Sequence, residues 1–555
     1  MSKAKEKSPA GKHARTVYDA LNAFFTRHER RAFIAIVVAS FALALLLFDT
    51  KLSTGGDDAA YVLQARELVS KGTLPLGFRV PGYPMVLSLF VLIDRASVLV
   101  LKFSSVLFFV CSVASFYHVF RRRLDKLFLF AAMGLFTFNA LALEYAHHTY
   151  SEMLYLLVQL WAIHFFLKSE ETDKDRRRNI LLAVMFGMLA FYVRVVGFTL
   201  LVAMGIVWLM KREWKILLFA AAVSGLLYLP LKIAERASGV KSLGQASVLF
   251  LANPYNPEQG NATLGGFAER MWDNLIVHAQ YMIPRALGLP YSEDLAAADG
   301  RVLPSAAAIF GIVISAIVVV GIVTSYRNRE QALRVGGLYV AAYLVSIFFL
   351  LHTIYASIRM MTPLVPVLAM IFFVGVRAVL GWIFRNSNHR EESTKRWMVW
   401  AMAATLVSNG VYVAGDVERN IPVLKENLRG NEFFGYSADW VSYLSACKWV
   451  RANLPKDSVG IICRKPEMFQ VYAGDYLVHG VYQVESTDPD TIVSNWRKWN
   501  MTHLMYDNFQ WTATLRRYVQ PVAQKYPLMF DLLHQEGEAA PTFIYRLNFA
   551  AAGPK

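Results

Sequence analysis

The sequence predicts a polytopic α-helical membrane protein of about eleven transmembrane helices, followed by a soluble α/β domain at its C-terminal end. Three observations carry this. The 555-residue chain is 55% hydrophobic and only 18% charged, against ~25% charged in soluble domains. Its apolar residues come in blocks of roughly 17–25, the length that crosses ~30 Å of hydrocarbon. Past residue 415 these blocks give way to short apolar runs alternating with amphipathic ones, the pattern of a small α/β layer.

The formal net charge of +16 raises nucleic acid as a partner, and its distribution argues against it. Residues 415–555 hold 15 Lys/Arg and 15 Asp/Glu, so the whole excess lies in residues 1–414. There the basic residues cluster in short connectors between apolar blocks, the pattern that sets membrane orientation. Residues 1–31, basic and ending in "RHERR", lack an apolar core before a small-residue cleavage site. They read as a disordered cytoplasmic tail and not as a signal peptide. Three cysteines give no disulfide framework. Cys111 lies in an apolar run, and Cys447 and Cys463 read as two unlinked thiols, a bridge between them being the alternative.

With the tail inside, spans are expected at about 32–48, 96–120, 127–145, 151–168, 179–196, 197–210, 215–232, 304–326, 335–352, 360–384 and 397–414. Residues 83–93 are too short to cross and should dip in or lie along the interface. This threading makes residues 32–414 the transmembrane domain, with outer loops at 49–95 and 233–303, and puts 415–555 outside. Every Lys/Arg-rich connector then faces the cytoplasm. The expected setting is a bacterial inner membrane, with the C-terminal domain periplasmic.

The same threading collects Asp57, Asp58, Arg79, Glu144, His147, His148, Glu152, Arg194, Arg285, His352 and Arg359 at or near the outer ends of spans. Ionisable groups there are costly unless a cavity or partner accommodates them. Each could snorkel singly to the interface; that does not explain why both signs gather on one side. In "DDAAYVLQAREL" the spacing places Asp58, Tyr61, Ala65 and Leu68 on one face of an interfacial helix. Asp57, following Gly55-Gly56, would sit at its N-terminus, where an ordinary N-cap worth ~1 kcal/mol is the alternative to a chemical role.

In order, these segments resemble the GT-C superfamily of membrane glycosyltransferases, in particular its protein O-mannosyltransferase and lipid A aminoarabinose transferase branch. The first outer loop shows Asp57-Asp58-Ala59-Ala60-Tyr61 and then Ala65-Arg66. Arg79 precedes a turn of Pro81, Tyr83 and Pro84, Ser151-Glu152 opens a span, and Arg359 leads to Pro363 and Pro366. Two departures weaken a subfamily assignment: Pro81-Gly82 replaces a double Pro, and Met360 replaces an aromatic. The resemblance covers residues 30–370 and implies transfer of a sugar from a polyprenyl-phosphate donor to an acceptor (protein, lipid or glycan) on the outer face.

That chemistry needs a base for the acceptor hydroxyl, and a carboxylate serves if desolvation raises its pKa. It also needs fixed cations for the leaving phosphate, and Arg offers bidentate donors. Asp57 is the expected base with Asp58 as the second candidate, Glu152 would orient the acceptor or a basic partner, and Arg79, Arg194 and Arg359 would hold phosphate. Tyr61, Arg66, Tyr83, Glu144 and His148 are further site candidates. No cofactor is expected to be required, although Mg²⁺ or Mn²⁺ remains open, since carboxylates with substrate phosphates can bind a divalent ion. The adjacent His147 and His148 do not share a helix face and have no spaced partner for zinc.

In the C-terminal domain, helices are expected at "ADWVSYLSACKWVRANLP", "DTIVSNWRKWN" and "TLRRYVQPVAQKYP", strands at "SVGIIC" and "HLMYDNF", and a hairpin at the end. It reads as a lid, an acceptor-contacting module or a structural appendage. "WDNLIVHAQYMIPRALG" reads as an amphipathic helix able to cover a lipid donor, and the sequon Asn261-Ala262-Thr263 carries little weight. The rival functions are a transporter or flippase, and a polymerase or ligase, of lipid-linked saccharides. A transporter would place its charges at midplane on internal repeats, and no repeat is evident.

Overall fold

The computed structural model describes residues 16–552, except for 78, 95–96, 172–173, 241–248, 254–258, 292–304, 353–356 and 482–485. Residues 1–15 of the expected tail and residues 241–248, 254–258 and 292–303 of the 233–303 loop therefore lie outside the described residues. Residues 17–27, expected to be disordered, instead form the helix Val17–Arg27. Thr16 and Asp19 close a capping box at its start, and Tyr18 is buried against the neighbouring helices.

All eleven expected spans fall on helices. They are Glu29–Leu46, Val98–Phe120, the pair Lys126–Thr137 and Ala140–Ala146, Glu152–Glu171, Arg176–Val193, Val195–Met210, Trp214–Ser238, Ala306–Arg327, Gln331–Leu350, Ile358–Ile383 and Arg390–Leu428. Six are long and apolar enough to cross a bilayer singly, and the pair, bent by 54°, makes a seventh if it is one span. The remaining four fall short of that measure: Glu29–Leu46, Glu152–Glu171 and Arg176–Val193 carry charged ends, and Val195–Met210 is short. The bend has a physical cause. Asn139 caps the second helix through Ala142 N–H at 3.0 Å, and its amide also donates to Ala286 O and Asn409 Oδ1.

Ion pairs gather the basic connectors at one end of the bundle. Lys126 meets Glu29 at 2.6 Å, Arg123 meets Glu171 at 2.5 Å, Arg176 meets Glu213 at 2.6 Å, and Lys395 meets Asp19 at 3.0 Å. The opposite end carries the 49–81 loop and the C-terminal domain. Thr50 Oγ1 donates to Glu432 O at 2.6 Å and Leu52 N–H to Tyr436 Oη at 2.7 Å, so the loop is fastened to the domain.

The expected boundary at 415 falls inside one helix. Arg390–Leu428 runs 39 residues, about 58 Å at 1.5 Å per residue, and so outruns a ~30 Å hydrocarbon layer. Only Gly415 and Pro422 disfavour a helix in the stretch after 414, and both are accommodated within it. Beyond it, Ala438–Asn453 packs on a five-stranded sheet of order β2-β1-β3-β5-β4. β1 (Gly460–Cys463), β2 (Leu477–Gly480) and β3 (His503–Tyr506) are parallel, while β4 (Phe530–Glu536) and β5 (Thr542–Leu547) form the antiparallel hairpin. The helix Pro466–Ala473 and β2 were not expected from the pattern. "TLRRYVQPVAQKYP" splits into Thr514–Tyr518 and Gln520–Lys525, because Pro521 starts a new helix. Cys447 and Cys463 are buried free thiols.

Candidate functional site

Asp57 is the first residue of the helix Asp57–Lys71, entered through Gly56 at φ +87°, where a side chain would be strained. Gly56, not Asp57, occupies the N-cap position, so the carboxylate stands at the first helical residue. It turns outward and accepts from Arg79 and from Arg359, the latter at 2.5 Å from Nη1 to Oδ2. Arg359 sits on the 3₁₀ turn Ile358–Leu364, whose start is fixed by Ser357 Oγ accepting from the Arg359 N–H at 3.3 Å.

Arg359 also donates through Nε to Glu152, the first residue of the helix Glu152–Glu171, and Glu152 accepts in turn from Arg194. Arg194 occupies the extended break between Arg176–Val193 and the next helix. The result is one continuous chain of charge, Arg79–Asp57–Arg359–Glu152–Arg194. Three cations against two anions leave it at +1. Both carboxylates stand at helix N-termini, where the macrodipole favours negative charge.

The chain has an exposed and a buried end. The Glu152 side chain is 0% exposed and that of Asp57 is 33% exposed. Burial works to raise the pKa of Asp57, but Arg79 and Arg359 outweigh it and hold the carboxyl below the usual range. A carboxylate serves as the base if desolvation raises its pKa; here the two guanidiniums reverse that shift.

The other candidates divide. Tyr61 and Tyr83 pack edge to face at 4.8 Å, with Arg79 5.3 Å over the Tyr61 ring, so both back the chain. Asp58 points the other way: it is buried and accepts from Ser53 N–H at 3.2 Å and Thr149 N–H at 3.3 Å, with His148 Nδ1 at 3.5 Å. Asp58 and His148 thus tie the first loop to the 147–151 segment. Arg66 reaches Val471 O in the C-terminal domain at 3.5 Å. Glu144 belongs to a second cluster, 4.0 Å from Arg285, whose guanidinium lies over Tyr281 and Tyr291.

Sequence reasoning missed several residues here. Tyr150 lies with its ring 3.8 Å under Arg359 and its hydroxyl 2.6 Å from Ser53 Oγ. Lys102, 0% exposed, pairs with Asp49 at 2.5 Å beneath the loop. Lys465 reaches the site from the C-terminal domain, its ammonium 3.9 Å from where a Cβ on Gly56 would stand. Of these, only Tyr150 had a signal, its place beside Ser151-Glu152. Among the described residues, no three His, Cys, Asp or Glu side chains converge as metal ligands.

The architecture was compared with solved structures. ArnT from Cupriavidus metallidurans, in the apo state and bound to undecaprenyl phosphate, aligns over 94% of this chain and 99% of that one, at 14% identity and a TM-score of 0.55. The chain has the GT-C fold. The oligosaccharyltransferase of Archaeoglobus fulgidus, tethered with an acceptor peptide containing the NVT sequon, aligns over 95% of this chain and 75% of that one, at 13% identity and a TM-score of 0.55. No protein-family model and no curated protein matches the sequence. Gly82, in place of the second Pro that the resemblance implies, has a visible reason: a Cβ there would stand 2.5 Å from Tyr192 O.

Proposed function

We propose that the protein transfers a sugar from a polyprenyl-phosphate-linked donor to an acceptor on the outer face of the membrane. The observation that carries this is the chain Arg79–Asp57–Arg359–Glu152–Arg194, at the end of the bundle opposite the basic connectors. Its net charge of +1 suits a phosphodiester, which carries one negative charge. That the same fold in ArnT holds undecaprenyl phosphate supports the choice of donor.

In the proposed reaction an acceptor hydroxyl attacks the anomeric carbon, the bond from that carbon to the carrier phosphate oxygen breaks, and the phosphate leaves with the electron pair. Asp57 takes the hydroxyl proton. Arg79 and Arg359 meet the phosphate at its bridging and free oxygens, where the leaving charge grows. A phosphate bound there draws these guanidiniums away from Asp57 and adds negative charge beside it. Both effects raise the pKa of Asp57, so donor binding switches on the base. Glu152 and Arg194 hold Arg359 from behind. We propose no required metal, because arginines take the phosphate-binding role. The side holding the site is the outer one, since the basic connectors occupy the other.

The test is transfer from an undecaprenyl-phosphate-linked sugar by the purified protein, with envelope extract as the acceptor pool and products read by mass spectrometry. Asp57→Asn should lose ~10²–10⁴-fold in rate while still binding donor. Full activity of that variant would remove Asp57 as the base. Comparing envelope glycolipids and glycoproteins with and without the protein names the acceptor.

A further inference from the structure

We propose that the C-terminal domain completes the donor site. Lys465, with Trp511 beside it, binds a second anionic group on the lipid-linked donor and the sugar ring next to it. This rests on the donor reading above and deepens it.

The topology selects the place. From β1 the chain passes through Pro466–Ala473 to β2 on one side, then through Pro489–Lys498 to β3 on the other side of β1. The direction of winding therefore reverses between β1 and β3, and in parallel sheets ligands bind beyond the carboxyl ends of the strands at such a switch point. The residues there are Arg464 and Lys465 after β1, and Asp507, Phe509 and Trp511 after β3. This end of the sheet faces the membrane domain: Pro466–Ala473 packs on Asp57–Lys71, and the Lys465 ammonium comes within 3.9 Å of the Cβ position of Gly56, next to Asp57. The positive φ at Gly56 keeps that gap free of a side chain.

The two cations at the switch point differ. Arg464 Nε stands 3.3 Å from Asp507 Oδ1. Lys465 is only 9% exposed, and its ammonium lies 5.0 Å over the Trp511 ring. Among the described residues that ammonium makes no ion pair or hydrogen bond. Glu467 is the carboxylate that acts on it most, ahead of Asp57 and Asp507, but none of the three meets it directly; a nearly buried cation without a direct partner is costly, and an arriving anion offsets the cost. Trp511 is 57% exposed, a large amphipathic surface able to stack on the apolar face of a sugar.

The second anion is an oxyanion adjoining the first phosphate. It is either the second phosphate of a diphosphate carrier or a carboxylate on the sugar, and two pairs of lipids separate these sources. Affinities of the full-length protein in nanodiscs would be measured for undecaprenyl phosphate against undecaprenyl diphosphate, and for undecaprenyl-phosphate-linked glucose against glucuronic acid. The wild type should prefer the more highly charged member of one pair by about ten-fold, the scale of a close charge pair. Preference in the first pair assigns Lys465 to a diphosphate, and in the second to an acidic sugar.

Lys465→Met should abolish that preference while leaving binding of undecaprenyl-phosphate-linked glucose, a single phosphodiester, unchanged, and Lys465→Arg should retain it. The fold uses the backbone carbonyl of Lys465, which accepts from Tyr443 Oη at 3.0 Å, so these side-chain changes leave the domain intact. Equal ratios in wild type and Lys465→Met, in both pairs, would overturn the assignment. Failure of the wild type to bind any of the four lipids would refute the donor reading itself.

Discussion

Glu152→Gln probes the charge chain where it is most buried. Glu152 is 0% exposed and accepts from Arg194 and Arg359. Removing one partner of a buried ion pair costs ~3–5 kcal/mol, because the remaining charge is left uncompensated. Two features of the site soften this. Gln keeps one carbonyl acceptor, a hydrogen bond of ~1 kcal/mol, and Arg359 retains Asp57 at 2.5 Å. Arg194 fares worse, left with Ser151 Oγ at 3.0 Å and the weak acceptor Met360 Sδ at 3.2 Å. The expected loss is therefore about 2–4 kcal/mol, read as a lower melting temperature in detergent.

Donor binding should move the other way. With Glu152 neutral, the local charge rises from +1 to +2 and the arginines meet phosphate without their buried rival. Undecaprenyl phosphate affinity should then tighten by about 3–10-fold, equivalent to ~0.7–1.4 kcal/mol, while transfer falls as Arg359 loses its second anchor. Lower stability with tighter donor binding is the signature. A variant that melts like wild type and binds donor unchanged would show that Glu152 does not hold these arginines.

Three further outcomes are expected. Lys102→Met should destabilise by about 2 kcal/mol, less than the ~3–5 kcal/mol of a fully broken buried pair because Asp49 keeps Lys51 at 3.5 Å, and adding Asp49→Asn should recover most of that loss in thermal melts. Burial, opposed by Arg464, raises the Asp507 pKa from 3.8 to about 6; the protonated form is thus favoured in the fold, a contribution present below about 3.8 and lost as pH rises through about 6. The wild type should therefore gain about 1 kcal/mol on going from pH 7.5 to pH 5 relative to Asp507→Asn, and identical pH dependence in the two would refute the assignment. Reporters fused after Arg390 and after Leu547 should read opposite compartments, cytoplasmic and outer; a shared compartment would undo the orientation.

The sequence by itself determined the class of the fold. Blocks of apolar residues long enough to cross hydrocarbon located eleven helices, because burial in lipid constrains composition span by span and leaves a local record. It also placed Asp57, Arg79, Glu152, Arg194 and Arg359 at one end of the bundle, through the alternation of basic connectors. In the C-terminal domain β1, β3 and the final hairpin were legible from local periodicity, whereas β2 was not: with only four residues, "LVHG", none of them fully buried, it carries no pattern of its own. Tertiary structure alone decided which of two adjacent carboxylates joins the arginines. Asp57 and Asp58 look alike in the chain, but one residue along a helix is a turn of about 100°, which sends Asp57 to Arg359 and Asp58 to the backbone of Thr149. It alone set the Asp57 pKa, since that depends on Arg359, 302 residues away in sequence. And it alone brought Lys465 to Gly56, because a contact between segments so far apart in the chain leaves no periodicity in either.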